Sequence, residues 1–144
     1  MRIRLLLGFA VVLTLGCGSK SVKFAPVSGN VTLNNKPLKG AVVTFFPIAP
    51  EGSTEAGPTS AGETDDNGDF VLATSQGVKG AVVGTHRVSI NRVEAQVGSH
   101  DTRPPRGGWP HQNAIPERYN TKSTEEFVVT SDGTDKADFK LTSP

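Results

Sequence analysis

Cysteine is all but absent: Cys17 is the single one in 144 residues, so no intramolecular disulfide can staple the fold and the core must hold by packing alone. Met, Trp and Tyr also occur once each, and aromatic residues make up only 6% of the chain. Neither sign of charge is in excess, with 15 Lys and Arg against 14 Asp and Glu. The basic residues form no block and do not interleave with aromatic ones, which excludes a phosphate-tracking or base-stacking surface and hence nucleic acid as a partner. No apolar run reaches the ~20 residues that span a bilayer, and no i, i+3, i+4, i+7 pattern persists long enough for a core helix. No serine stands in G-x-S-x-G, no glycine-rich stretch ends in Gly-Lys-Ser/Thr, and no two histidines are spaced i, i+4. The local motifs of a nucleophile elbow, a phosphate loop and a helical zinc site are therefore all missing.

What is present is punctuation and alternation. Sixteen Gly and ten Pro, with many Val and Thr, suit short strands and frequent turns, so the fold class expected is all-β. In 27–33 the residues Val27, Gly29, Val31 and Leu33 alternate with Ser28, Asn30 and Thr32, the pattern of a strand with one buried face. The next run is apolar on both faces at Val42, Val43, Phe45 and Phe46, as expected of a strand covered on both sides or lying inside a sandwich. Between the two, Asn34, Asn35, Lys36, Pro37 and Gly40 make a turn, with the reversal expected between Pro37 and Gly40. Further strands are predicted at 70–74, 85–92, 126–130 and 136–142, with a short one near 59–64. In 85–92, His86, Val88 and Ile90 share the inner face. The last two strands are expected to form a hairpin across Asp132-Gly133, with Ala137, Phe139 and Leu141 facing in. Six or seven strands suffice for a Greek-key sandwich.

Few residues carry chemistry. Asp65, Asn67 and Asp69 alternate as calcium ligands do, but Gly68 comes too early, the twelfth place is Gln76 and no helices flank the loop, so an Asx-rich turn is the plainer reading. The irregular segment 93–120 holds Trp109, which with Tyr119 and Arg106 forms a candidate platform for a sugar ring or a peptide. Alternatively, Trp109 covers the open end of the sandwich while IPERYN pins the loop, with Tyr119 packed against it and Pro116 fixing the approach, and packing is the more economical reading. His100, Asp101 and His111 lack a tight ligand spacing, so neither a metal nor a cofactor is expected.

Residues 1–16 begin with Arg2 and Arg4, continue in the apolar run 5–15 and end on Gly16, the layout of a secretion signal. The stretch LTLGC resembles a bacterial lipobox, which implies that Cys17 is lipidated and that its two or three acyl chains anchor the remainder of the chain to a membrane. Residues 17–26 then form the lipidated cysteine and its tether, and 27–144 the folded domain. Gly18 stands where an Asp would favour inner-membrane retention, which points to the outer membrane.

Four stretches in order, GNVTLNNKPLKGAVVTF, TDDNGDF, GAVVGTHRVSI and IPERYN, are similar to the carboxypeptidase regulatory-like, or transthyretin-like, domains of small bacterial envelope lipoproteins, a group abundant in planctomycetes. The resemblance implies a prealbumin-like β-sandwich and a non-enzymatic role in structural or protein-binding contacts at the cell envelope. In that family a Tyr usually stands where this chain has His86, which makes His86 structural. A carbohydrate-binding module using Trp109 and the 93–120 loop is the alternative. An enzyme resembling the transthyretin-like hydrolase of 5-hydroxyisourate is disfavoured, because the chain ends LTSP rather than in that family's Tyr-Arg-Gly-Ser-like tail.

Overall fold

The computed structural model describes residues 22–92 and 115–143. The expected signal, Cys17, Arg106, Trp109, His100, Asp101 and His111 all lie outside the described residues.

The chain is an all-β sandwich. Its strands are β1 (Phe24–Ala25), β2 (Ser28–Leu33), β3 (Lys36–Pro37), β4 (Val42–Pro47), β5 (Ser60–Glu63), β6 (Asp69–Val71), β7 (Ala73–Thr74), β8 (Ala81–Val82), β9 (Gly84–Asn91), β10 (Glu126–Val129) and β11 (Phe139–Leu141). The larger sheet has the order β10-β9-β4-β5-β7; the smaller is β11-β2-β3, with β6 also paired to β2; β1 and β8 form a short ribbon. Among these, β2, β4, β5, β6, β9, β10 and β11 have three or more residues, and each overlaps a stretch where the sequence predicts a strand.

The core lies between the two inner faces. Val43 and Phe45 from β4, Val88 and Ile90 from β9, and Val129 from β10 meet Val31, Phe70 and Leu141 from the smaller sheet. Phe45 is the hub: its ring centroid lies 5.5 Å from Phe127, 5.5 Å from His86 and 6.2 Å from Phe139, at tilted or edge-on angles that suit aromatic quadrupoles. Gly29 is fixed by crowding, since a Cβ there would run into the Ala137 carbonyl.

Four expectations are corrected. The first reversal falls at Asn34-Asn35, both at positive φ (51° and 63°), rather than between Pro37 and Gly40. Two left-handed Asn residues make the tight turn of a hairpin, and Pro37 comes next on the edge strand β3, opposite Thr32. The chain then crosses to the other sheet, so β2 and β4 are not partners. The buried Thr64 hydroxyl clamps this crossing, donating to Leu38 O (2.5 Å) and accepting from Ala41 N–H (2.8 Å).

Second, the strand expected over 70–74 is broken at Leu72: β6 pairs with β2 and β7 with β5. The chain changes sheets there because Leu72 is fully buried and its N–H donates to Val27 O (2.9 Å). Third, β10 and β11 do not form a hairpin. Gly133 makes its turn, at φ 75°, but Thr134 N–H donates to Pro26 O (2.9 Å) and Ser28 N–H to Thr134 O (2.9 Å). The chain is thereby drawn to the smaller sheet, where β11 lies parallel to β2. Fourth, of the two readings of β4 the one that holds is a strand inside the sandwich, between β9 and β5; it is not covered on both sides, since Val42 and Phe46 are 40% and 46% exposed.

Candidate functional site

The outward side of the larger sheet is set by strand register. Val42, Thr44 and Phe46 of β4 stand opposite Asn91, Ser89 and Arg87 of β9, and Arg87 in turn stands opposite Glu126 of β10. Directly paired residues share a face. With Ile48 and Val128 this face exposes four large apolar residues that no described segment covers. Phe46, Pro47 and Ile48 form the apolar wall of a groove of about 550 Å³, and Arg87, Ser89, Asn91, Asn120, Thr121 and Ser123 supply its polar wall. Among the described residues no carboxylate lines it, and Arg87 is in no ion pair although Glu126 is its cross-strand neighbour.

The polar wall is rigid because the 115–125 segment is tied to β9. Asn120 is buried, and its side-chain N–H groups donate to Ile115 O (3.0 Å) and Pro116 O (3.3 Å), while its Oδ1 accepts from Thr121 N–H (2.5 Å). The buried Ser123 hydroxyl donates to Val88 O, and Val88 N–H donates to Glu125 O (2.8 Å). The groove thus has fixed walls, an apolar side and one cation. That composition suits a ligand which buries an apolar or ring face while presenting acceptors.

Of the sequence-predicted site residues, Tyr119 is described. It closes a 3-10 turn over Glu117–Tyr119 and packs half-buried against the core. Its hydroxyl accepts from Thr142 N–H (3.2 Å), and the Arg118 guanidinium sits 4.7 Å over its ring while donating to Thr142 O and Oγ1. Hydrogen bonds with Thr142 and then with Arg118 hold the phenol pKa below its ordinary value. The cation over Tyr119 is therefore Arg118, and that ring face is occupied. Cys17, Arg106 and Trp109 lie outside the described residues.

His86 is 1% exposed. Its Nδ1 lies 3.1 Å from Gly84 O; a carbonyl can only accept, so the proton sits on Nδ1 and Nε2 carries the lone pair. Nε2 is buried without a hydrogen-bond partner among the described residues. Burial pushes the imidazole pKa below the usual histidine value, and the Gly84 bond only partly offsets it. The ring packs on Phe45 as an inner-face residue.

In the TDDNGDF turn the acidic side chains serve the backbone. Asp65 Oδ1 accepts from Asn67 N–H (2.8 Å) and Asp69 N–H (2.9 Å), and Asp69 Oδ1 accepts from Asn30 Nδ2 (2.7 Å). Among the described residues no three His, Cys, Asp or Glu side chains cluster as a metal would require.

The groove is not legible in the sequence. Phe46 is the available signal, but an apolar residue next to a core residue reads as burial, and the polar wall comes from segments about thirty residues apart. No family model matches this chain, and neither the curated proteins nor the solved structures searched contain a match to it.

Proposed function

We propose that this protein is a non-enzymatic, lipid-anchored module of the bacterial cell envelope, held at the outer membrane through Cys17, whose larger sheet presents its outward face to a protein partner. The observation that carries the binding half is the uncovered set Val42, Phe46, Ile48 and Val128 beside a rigid groove holding an Arg87 without an ion pair among the described residues. Several exposed apolar residues on one sheet face beside polar groups suit contact with a partner. The anchoring half rests on LTLGC and on the order of basic, apolar and small residues before Cys17. The four family-like motifs support the prealbumin-like form of the sandwich and a role in contacts rather than turnover.

A second reading, a carbohydrate-binding module, is favoured by the groove's own composition: one exposed aromatic ring, Phe46, beside amide, hydroxyl and guanidinium groups. This form of the reading does not need Trp109.

Two measurements test the proposal. Intact mass and detergent partitioning of the protein from a lipoprotein-competent host, beside Cys17→Ala, tests the anchor: the wild type should begin at Cys17 with added acyl mass, and equal solubility of both would sink it. Glycan-array binding separates the partner classes. A saturable glycan signal lost in Phe46→Ala would move the assignment to the second reading.

A further inference from the structure

The two ends of the sandwich differ in what they expose, and the chain enters the fold at one of them. Val22 and Lys23 lead into β1, which is fixed to β8 through Phe24↔Val82 and Ala25↔Ala81 and by Val83 N–H donating to Lys23 O (2.9 Å). This is the end where β4 finishes and β9 starts, since Pro47 pairs with His86. The loop 48–59 rises from it, and because β7 runs antiparallel to β5 the turn 75–79 projects the same way. Val22 and Val78 are exposed here, at 47% and 39%, while Ile48 sits at the junction with the Phe46–Arg87 groove. A cavity of about 700 Å³ opens here, with Val22, Pro50 and Val82 on its apolar side and Lys23, Glu51 and Glu126 on its polar side. The exposed charges, Lys23 and Lys79 against Glu51, Glu55, Glu126 and Asp132, leave a small acidic excess.

The opposite end is polar. It carries the Asn34-Asn35 turn, Lys36, and the exposed ion pairs Lys39–Asp66 and Glu117–Lys122.

We infer that the Val22 end of the sandwich rests on the bilayer, with the loop 48–59 and the turn 75–79 at the lipid headgroups and the Asn34-Asn35 end pointing away. This rests on lipidation of Cys17. Five residue steps separate Cys17 from Val22, a span of at most about 18 Å when fully extended. The eight residues of β9 make the sandwich about 26 Å long. An inverted domain would lift Val22 farther from the headgroups than the tether reaches, so only orientations with the Val22 end low are open to it. The exposed Val22 and Val78 select among these the one that puts apolar surface into the interface rather than a polar flank. A small acidic excess supplies no attraction to a zwitterionic surface, so the tether and apolar contact set the orientation, and salt should not reverse it. The Phe46–Arg87 groove then lies on the flank, open to the aqueous side.

The test uses the full lipidated protein in phosphatidylcholine vesicles carrying a headgroup-level quencher, with a thiol-linked fluorophore at Glu55→Cys or at Lys36→Cys. Both sites are exposed, and Cys17, being a thioether, takes no label. Flotation of the same samples reports anchoring separately. The expected result is flotation of both, with quenching at position 55 several-fold stronger than at 36 and unchanged by high salt. Flotation with equal quenching, or stronger quenching at 36, overturns the orientation and leaves the anchor standing. Failure to float overturns the anchor and the orientation with it.

Discussion

The outward faces of the two sheets are built from the same chain to opposite ends. On the smaller sheet the polar groups consume one another: Asn30 N–H donates to Asp138 Oδ1 (3.1 Å), and its side chain donates to Asp69 Oδ1 (2.7 Å) and Asn67 O (2.8 Å). On the larger sheet Val42, Phe46 and Val128 stand in solvent, and Arg87 has no ion-pair partner among the described residues. A face whose hydrogen bonds are closed internally gains little from a partner; one with uncovered apolar area and an unpaired cation gains from both. Exposure alone therefore does not mark a binding surface. Val71 on the smaller sheet is 65% exposed, but it stands alone among polar neighbours, as single surface apolar residues commonly do.

The largest expected effect separates the two sides of one strand. Phe45→Ala removes the ring at the centre of the aromatic cluster and should cost about 3–5 kcal/mol, whereas Phe46→Ala should stay within about 1 kcal/mol. Chemical denaturation of both variants checks this, and equal losses would mean that Phe46 is structural and the groove is no binding site. Next comes the contrast between polar groups: Asn30→Ala should lose about 1 kcal/mol from its two side-chain bonds, with Arg87→Ala within about 0.5 kcal/mol. An Arg87 loss as large as that at Asn30 would show that its guanidinium already serves the fold.

The smallest signal is a slope with pH. His86 has its folded pKa below the unfolded value of 6.5, so between the two the unfolded chain binds more protons and stability rises with pH. Stability should therefore be level above about 6.5, fall as pH drops below it, and level again below the folded pKa. In His86→Phe this contribution should vanish, because the ring that replaces it joins the Phe45 cluster without a lone pair to bury. Denaturation midpoints of both proteins across that window read the difference, and parallel curves would place the titrating group elsewhere.

How much of the molecule is legible in its sequence depends on what each pattern encodes. Alternation marks a strand and its inner face, so Val27, Gly29 and Val31, and likewise Ala137 and Leu141, read as inward and are inward. It does not say which sheet a strand joins. Asp132-Gly133 looks like the turn of a hairpin and is a turn, yet backbone bonds from Thr134 and Ser28 carry β11 to β2. The left-handed Asn34-Asn35 pair is less visible than Pro37 and Gly40, because Asn tolerates positive φ less conspicuously than glycine. At the candidate site, Tyr119 is visible through IPERYN, and it packs against the core, while the loop it is expected to pin lies outside the described residues. Phe46 misleads for a physical reason: a strand apolar on both faces is either buried twice or kept apolar for something outside the fold.

The most direct test of that last statement is photocrosslinking in cells, with a photoreactive phenylalanine analogue placed at 46 or at 71 in the lipidated protein. A discrete adduct is expected from position 46, protease-sensitive if the partner is protein and lost when Arg87→Glu is added, with no adduct from 71. Adducts from 71 but not 46, or none from either, would contradict the claim that the larger sheet's outward face is where this protein meets its partner.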